Sequence, residues 1–141
     1  MDFNRFESAG FTVNWCARLF ERRMAEVLRP LGLTPAYLPA LFTLSAVGGA
    51  TQGELTKVSA IQQPTMALTL RRMERDGLIT RVQDEEDRRR AIIRLTPRAE
   101  ELMPQVEELA RGINEAAFAG LPTEAPAQLL ALLLQTARNL E

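Results

Sequence analysis

The feature that most restricts the fold of this sequence is a pair of β-branched runs, residues 78–82 and 91–95, on either side of a charged segment at 83–90. Such runs favour extended strands, and a short polar connection between two of them is typical of a hairpin. Elsewhere the apolar residues recur at three- and four-residue spacing, as in amphipathic helices. The sequence therefore predicts a mainly α-helical chain with one small β-hairpin.

Six helices are predicted around the hairpin, because hydroxyl residues, prolines and glycines stand where helices begin and end. They are expected at about 11–29, 34–47, 51–58, 64–77 and 96–118, and from 123 onward. Pro39 and Pro104 fall inside two of them, so each proline is expected to bend its helix. A short helix, a tight turn at 59–61, a second helix and the hairpin follow one another. This order is that of a winged helix-turn-helix, whose second helix fits the major groove of DNA.

The fourth helix has two distinct faces, and this division predicts which residues meet a partner. Met66, Thr69, Leu70 and Met73 share one side, and Pro64, Leu68, Arg71 and Arg75 share the other. The first side is apolar and is expected to face the core. The second side is therefore expected to face outward.

Charge is unevenly distributed, although the formal net charge is only −1. Residues 61–98 hold nine arginines against six acidic residues, whereas seven glutamates in 99–141 face two arginines. A basic segment that coincides with a helix-turn-helix indicates contact with nucleic acid. One alternative stays open: the arginines at 88–90 form a solvated turn that the acidic residues at 84–87 neutralise.

Catalysis and metal binding are not expected. The chain has no histidine, which is the commonest general base and metal ligand, and it has no phosphate-binding glycine loop. The adjacent glutamates at 100–101 and 107–108 point about 100° apart on a helix, so each pair is better explained as a solvated face. The single cysteine, Cys16, excludes an intrachain disulfide. We expect no cofactor, no metal and no enzymatic activity.

The chain is also not expected to contact a membrane. It has no apolar run approaching the roughly 20 residues that span a bilayer. Its first residues are acidic and polar where a secretory signal would be basic and then apolar. A cytoplasmic location is the expectation that follows.

The last helix contains five leucines within residues 129–134, and it is apolar on nearly every side. A helix of this kind must be buried, but a terminal helix has too little of its own chain around it. A second subunit is the natural cover, so the sequence predicts a homodimer.

Six short stretches, in this order and spacing, resemble the MarR family of bacterial regulators. They are Leu31–Pro35, Thr51–Leu55, Gln63–Thr65, Met73–Ile79, Asp84–Arg89 and Leu95–Pro97. The resemblance implies a dimer with intertwined terminal helices, two DNA-binding lobes and a small-molecule cleft between the lobes and the dimer core. The chain would then be one domain, 1–141, with a DNA-binding lobe at 34–97 and dimerisation helices at 1–33 and 98–141.

The predicted DNA-binding residues lie on the fourth helix and in the wing. They are Gln62, Gln63, Pro64, Thr65, Ala67, Leu68, Arg71, Arg72, Arg75, Asp87, Arg88 and Arg89. In the family's pattern, Arg89 matches an arginine that enters the minor groove, and Asp87 and Arg88 match a pair that shapes the wing. Many members carry arginine at the position of Leu68. Here we expect a contact with a thymine methyl group in place of guanine recognition.

Two features on the first helices have alternative interpretations. Trp15, Arg18 and Tyr37 are candidates for an effector cleft that suits a small phenolic acid, although core packing of the aromatics and a surface role for Arg18 explain them equally well. Cys16 is a candidate redox sensor, because one branch of the family senses peroxides through a first-helix cysteine. Cys16 lies further along its helix and has no tyrosine nearby, so a buried apolar role is the favoured interpretation.

These observations together predict a sequence-specific repressor that binds inverted half-sites in double-stranded DNA as a homodimer and is released by a ligand. The rival interpretations are a winged-helix module that binds protein and a thiol-based regulator that acts through Cys16. A protein-binding module would show no steep salt dependence of affinity for duplex DNA.

Overall fold

The computed structural model describes residues 4–141. In this part of the chain there are six α-helices and two strands: α1 Ala9–Leu28, α2 Leu38–Val47, α3 Gln52–Ser59, α4 Gln63–Arg75, β1 Ile79–Gln83, β2 Ala91–Leu95, α5 Pro97–Ala117 and α6 Ala125–Leu140. Short 3-10 turns lie at Arg5–Glu7, Arg29–Leu31 and Pro35–Tyr37. This order confirms the predicted mainly α fold with a winged helix-turn-helix.

Three helices begin at hydroxyl side chains that cap the first turn. Ser8 accepts a hydrogen bond from the backbone N–H of Phe11 at 3.3 Å, and Thr51 and Thr96 accept equivalent bonds, each at 3.2 Å, at the starts of α3 and α5. Each hydroxyl satisfies an N–H group that has no partner within its own helix. Thr51 and Thr96, the hydroxyl residues at the predicted helix starts 51 and 96, are therefore confirmed as caps.

Two predicted details of the helices are wrong. Pro39 does not kink a long second helix, because the chain forms a 3-10 turn at Pro35–Tyr37 and α2 begins only at Leu38. Pro39 thus lies in the first turn of α2, where a backbone N–H is not needed. The last helix begins at Ala125 instead of Thr123, after a turn that the Ala125 N–H closes on the carbonyl of Pro122. Helix α5 continues through Pro104 without a break.

The buried apolar residues come from one continuous part of the chain, residues 24–106, which we call the core segment. The fully enclosed large side chains are Leu28, Leu41, Leu44, Leu55, Met66, Leu70, Met73, Leu78, Ile93 and Val106. Helix α4 contributes Met66, Leu70 and Met73 to this core, as its sequence predicts. The core fixes α4 through one face and leaves the opposite face in solvent.

The hairpin is antiparallel, and Ile79 lies opposite Leu95 at its base and Gln83 opposite Ala91 near its tip. A bridge outside the two strands joins Ala50 to Ile93, with N–H to carbonyl distances of 3.1 and 2.8 Å in the two directions. The hairpin is therefore attached to the segment between α2 and α3, and only its tip projects.

The described residues on either side of the core segment, 4–23 and 107–141, contain no buried side chain. We call them the terminal segments. Most of their large apolar side chains remain in solvent, including Phe11, Trp15 and Phe20 on α1 and the leucines of α6, whereas Leu109 and Ile113 are half-buried against the core. The prediction that the chain itself cannot cover α6 agrees with this observation.

No single helix within residues 4–141 combines the length and the apolar composition needed to cross a bilayer. One pair, Ala9–Leu31 with Pro35–Val47, meets both requirements only when taken together, and it is bent by 95° at its break.

Candidate nucleic-acid interface

The outward face of α4 carries most of the predicted contact residues. Those exposed to solvent are Gln62, Gln63, Pro64, Thr65, Leu68, Arg71, Arg72 and Arg75, and Ala67 is half-buried. The side-chain amide of Gln52 on α3 donates to Gln63 Oε1 at 3.3 Å and so links the starts of α3 and α4. A rigid helix thus presents polar, apolar and cationic groups side by side.

The turn before α4 depends on Ala60, which has φ +51°. This left-handed conformation is unfavourable for a residue with a Cβ atom, and it lets the Ala60 N–H bond to the carbonyl of Thr56 as α3 ends. Only three residues separate the end of α3 at Ser59 from the start of α4 at Gln63. The predicted tight turn at 59–61 therefore sets how α4 leaves α3.

At the other end of α4, Asp76 joins three parts of the lobe. The Tyr37 hydroxyl donates to Asp76 Oδ2 at 2.6 Å, and Arg75 Nε donates to Asp76 Oδ1 at 3.0 Å. Arg98, in the first turn of α5, donates from Nη1 to the backbone carbonyl of Asp76. The neighbouring Gly77, with φ +73°, accepts at its carbonyl a bond from the Thr96 hydroxyl at 2.7 Å.

The ionisation of this group follows from its contacts. Hydrogen bonds from Arg75 and then from Tyr37 lower the pKa of Asp76 below its ordinary value. Burial raises the pKa of Tyr37, and the bond to Asp76 raises it further. Near neutral pH, Asp76 is therefore a carboxylate and Tyr37 is a neutral donor.

The tip of the wing is closed by an ion pair between Asp84 and Arg90. Arg90 Nη2 lies 2.7 Å and Nε lies 3.2 Å from Asp84 Oδ2, and the backbone N–H of Asp84 donates to the Arg90 carbonyl at 2.9 Å. The Arg90 guanidinium holds the pKa of Asp84 below its usual range. The Gln83 amide also donates to the carbonyl of Arg88 at 2.7 Å.

Asp87 holds the turn at the tip of the wing through Arg89. Asp87 Oδ1 accepts from the backbone N–H of Arg89 at 3.0 Å and from its Nε at 3.3 Å. The Arg88 side chain is exposed, and the side chain of Arg89 is 92% exposed. Exposed ion pairs contribute little, roughly 0–1 kcal/mol, so a DNA phosphate can compete with Asp87 for Arg89.

The three candidate effector residues differ in their exposure. Tyr37 is only 3% exposed, and its hydroxyl is bound to Asp76, so the core-packing interpretation applies to it. Trp15 is exposed, and its ring packs edge-on against Phe6 with 5.8 Å between the ring centroids. Arg18 is also exposed.

A cleft of about 450 Å³ does lie between α1 and α5, but other residues form it. Its lining is Cys16, Leu19, Phe20, Arg23, Gly112, Ile113, Ala116 and Ala117. The expectation that Cys16 is buried is wrong, because Cys16 lies in this cleft and the cleft between α1 and α5 stays open to solvent. Within residues 4–141, no group of three or more histidine, cysteine, aspartate or glutamate side chains is placed to hold a metal ion.

Sequence reasoning missed Asp76, Asp84 and Arg98, since their partners are identified only once the chain is folded. Asp76 did carry a signal. It is an acid at the C-terminal end of a helix, where the helix dipole disfavours negative charge, so a cation or hydroxyl donor was to be expected beside it.

Comparisons with known proteins agree with this architecture. The sequence profile of the MarR family matches residues 31–90. An uncharacterized HTH-type transcriptional regulator, YwoH, of Bacillus subtilis (strain 168) is 32% identical over 94 residues, which cover 67% of this chain and 68% of that protein.

Two solved structures show the same fold. A MarR transcriptional regulator from Methanosarcina mazei Go1 has a TM-score of 0.86 at 22% identity, over 92% of this chain and 94% of the other. A mutant MarR from E. coli complexed with operator DNA has a TM-score of 0.82 at 23% identity, over 90% and 91% of the two chains.

Proposed function

Because the chain belongs to the MarR family of transcriptional regulators, we propose that it binds double-stranded DNA sequence-specifically as a homodimer and represses transcription until a small molecule releases it. One observation carries the proposal: α4 is anchored by a fully buried face, while its opposite face exposes Leu68, Arg71 and Arg75 in one stripe. The E. coli MarR structure of the same fold is a complex with operator DNA, which supports this use of the fold.

The exposed groups divide by their chemistry. Pro64, Thr65 and Leu68, in the first half of α4, enter the major groove, where Leu68 packs against the methyl group of a thymine. Arg71 and Arg75 bind phosphates that flank the groove. The wing extends to the neighbouring minor groove, where the charge of Arg89 contributes affinity and sensitivity to groove width.

A homodimer follows from the apolar surfaces of the terminal segments, which a second copy would cover. Two-fold symmetry would place the two copies of α4 about one helical turn apart on DNA, so the operator would contain inverted half-sites. We propose a DNA-binding lobe at 34–97 and dimerisation helices at 1–33 and 98–141. Met24, Leu28, Met103 and Val106 pack into the lobe's core from these helices, so movement of the helices would reach the lobe.

For the effector we propose a small aromatic or phenolic acid. Trp15 and Arg18 are accessible on α1 and offer an aromatic ring and a cation. Tyr37 would join them only if its bond to Asp76 opened. A regulator of this kind acts where the chromosome lies, so we place it in the cytoplasm.

The test is the salt dependence of duplex binding by the wild-type protein and by Arg89→Ala. Each phosphate contact contributes about 0.9 to the slope of log affinity against log salt, so the variant should lose about one unit of slope. Arg111→Ala is the matched control, because Arg111 lies on α5 and pairs with Glu107 and Glu108. This control should keep the full slope.

Two results would contradict the proposal. If the affinity of the wild-type protein for duplex DNA did not fall steeply with salt, the rival interpretation, a protein-binding module, would be favoured. An Arg89→Ala variant with wild-type affinity at every salt concentration would show that the wing is a solvated turn.

A further inference from the structure

The acid at the C-terminal end of α4 stands where a helix disfavours negative charge. Asp76 is the residue after the last turn, and its N–H still bonds to the carbonyl of Arg72 at 2.9 Å. Its pKa is nevertheless lowered, because Arg75 and Tyr37 donate to its carboxylate. The partners of Asp76, and not the helix, therefore stabilise the charge at this position.

The two carboxylate oxygens of Asp76 have different partners. Oδ2 accepts from the Tyr37 hydroxyl, which belongs to the 3-10 turn before α2, and Oδ1 accepts from Nε of Arg75 on α4. Tyr37 is only 3% exposed, so its hydroxyl has little access to water as an alternative partner. The carboxylate is thus held from the core side and directed toward Arg75.

This contact leaves the two terminal nitrogens of the Arg75 guanidinium available for hydrogen bonding. The side chain is 68% exposed and uses Nε for Asp76, so its two terminal nitrogens can donate to a phosphate. Arg75 also lies on the same stripe of α4 as Leu68 and Arg71. A guanidinium already held in one orientation loses less side-chain freedom when it binds.

We propose that Tyr37 is a positioning residue for DNA binding, which holds the carboxylate of Asp76 so that Asp76 orients the guanidinium of Arg75 toward a DNA phosphate. The inference rests on the proposed function and extends it to a buried side chain that does not touch DNA. It also assigns Tyr37 a role other than effector binding.

The experiment is a double-mutant cycle on the affinity for a labelled duplex of about 30 base pairs, or three helical turns, at low salt and neutral pH. Tyr37→Phe keeps the ring and removes the hydroxyl, and it should weaken binding about threefold to fivefold. Arg75→Ala should weaken binding about tenfold. The double variant should bind no more weakly than Arg75→Ala alone.

Arg71 provides the matched control, because it lies one turn earlier on the same exposed stripe and is not a hydrogen-bonding partner of Asp76. In the Arg71→Ala background, Tyr37→Phe should still weaken binding to the duplex by the full factor of about three to five. A general loss of folding would reduce affinity in every background, so only loss of the effect in the Arg75→Ala background supports the proposal.

Asp76→Asn gives a second route that keeps the size of the side chain and removes its charge. It should weaken binding in the wild-type background and have no effect in the Arg75→Ala background. Higher affinity of Asp76→Asn would overturn the proposal, because Asp76 would then only neutralise Arg75. The proposal would also be overturned if Tyr37→Phe reduced the affinity for the duplex equally in the wild-type and Arg75→Ala backgrounds.

The failure of this inference is distinguishable from failure of the proposed function. If the wild-type protein shows no salt-dependent binding to the duplex, the proposed function is wrong. If the wild-type protein binds and the cycle is additive, only the role of Tyr37 is wrong.

Discussion

Apolar side chains are buried in one region of the chain and not in the other. The first region is the core segment, 24–106, and the second comprises the terminal segments, 4–23 and 107–141. In the core segment one face of each helix is covered by the same chain, and side chains such as Leu70 and Leu55 are completely enclosed. The terminal segments are nearly as rich in large apolar residues, yet none of their described side chains is buried. Apolar periodicity therefore shows that a face will be covered, but not which molecule covers it.

The largest effect is expected from adding charge to α6. The pair Leu130→Glu and Leu134→Glu changes two exposed residues on one helix face, so each subunit should still fold. A carboxylate buried without a partner between subunits is strongly unfavourable, and we expect the dimer dissociation constant to rise on the order of 100-fold or more. Sedimentation equilibrium measures this change.

The control for this change is Gln128→Glu with Gln135→Glu, which adds the same charge to α6 at positions that are already polar. It should leave the dimer much more stable than the leucine pair does. If the two pairs of substitutions weaken the dimer equally, or neither does, α6 is not covered by a second copy through its leucines.

A smaller effect is expected when a leucine is truncated to alanine, and its cost in stability should differ between the core segment and a terminal segment. Leu70 is 0% exposed, and Leu70→Ala should lower the free energy of unfolding by about 2–5 kcal/mol, because it leaves a cavity in the core segment. Leu140 is 82% exposed, and Leu140→Ala should change the free energy of unfolding by roughly 0.5 kcal/mol or less. Urea unfolding of both variants in the Leu130→Glu, Leu134→Glu background, where the subunits are expected to be separate, compares the two costs, and similar costs at the two positions would contradict the division.

The smallest effect concerns Leu68, an exposed leucine within the core segment. We expect this residue to contact DNA and not a second subunit, so Leu68→Arg should leave the dimer intact. It should shift the preferred base pair toward G·C, by roughly 1–3 kcal/mol if a bidentate contact forms. Selection from random duplexes with both proteins measures the shift.

Val47→Arg is the control for Leu68→Arg, since it adds the same charge to an exposed apolar position on α2 that is not among the predicted DNA-binding residues. It should not change the recovered sequence. Identical recovered sites for wild type and Leu68→Arg would mean that Leu68 does not face the bases.

Local patterns in the sequence were enough to predict the inner and outer faces of α4, the hydroxyl caps at Thr51 and Thr96, and the hairpin, whereas Thr34 makes no capping hydrogen bond and Thr123 does not begin a helix. Each of these depends on residues a few positions apart. The bond between Tyr37 and Asp76 joins residues 39 positions apart, so no local pattern contains it. The effect of Pro39 depended on where the first turn of α2 begins, which periodicity does not define to within a residue.

The exposure of Cys16 was mispredicted for a different reason. The apolar spacing predicts helix α1, but Cys16 lies in a cleft that its own chain leaves open. The spacing of apolar residues along one helix does not determine whether another element covers such a position.

The bridge between Ala50 and Ile93 has a consequence for hydrogen exchange. The Ile93 amide bonds to Ala50, outside the hairpin, so it can exchange with solvent only when the segment between α2 and α3 also detaches. The amides at the tip of the wing need only a local opening. Protection should therefore rise steeply from tip to base within a few residues, so the tip can adapt its shape to a groove while its base keeps a fixed position on the lobe.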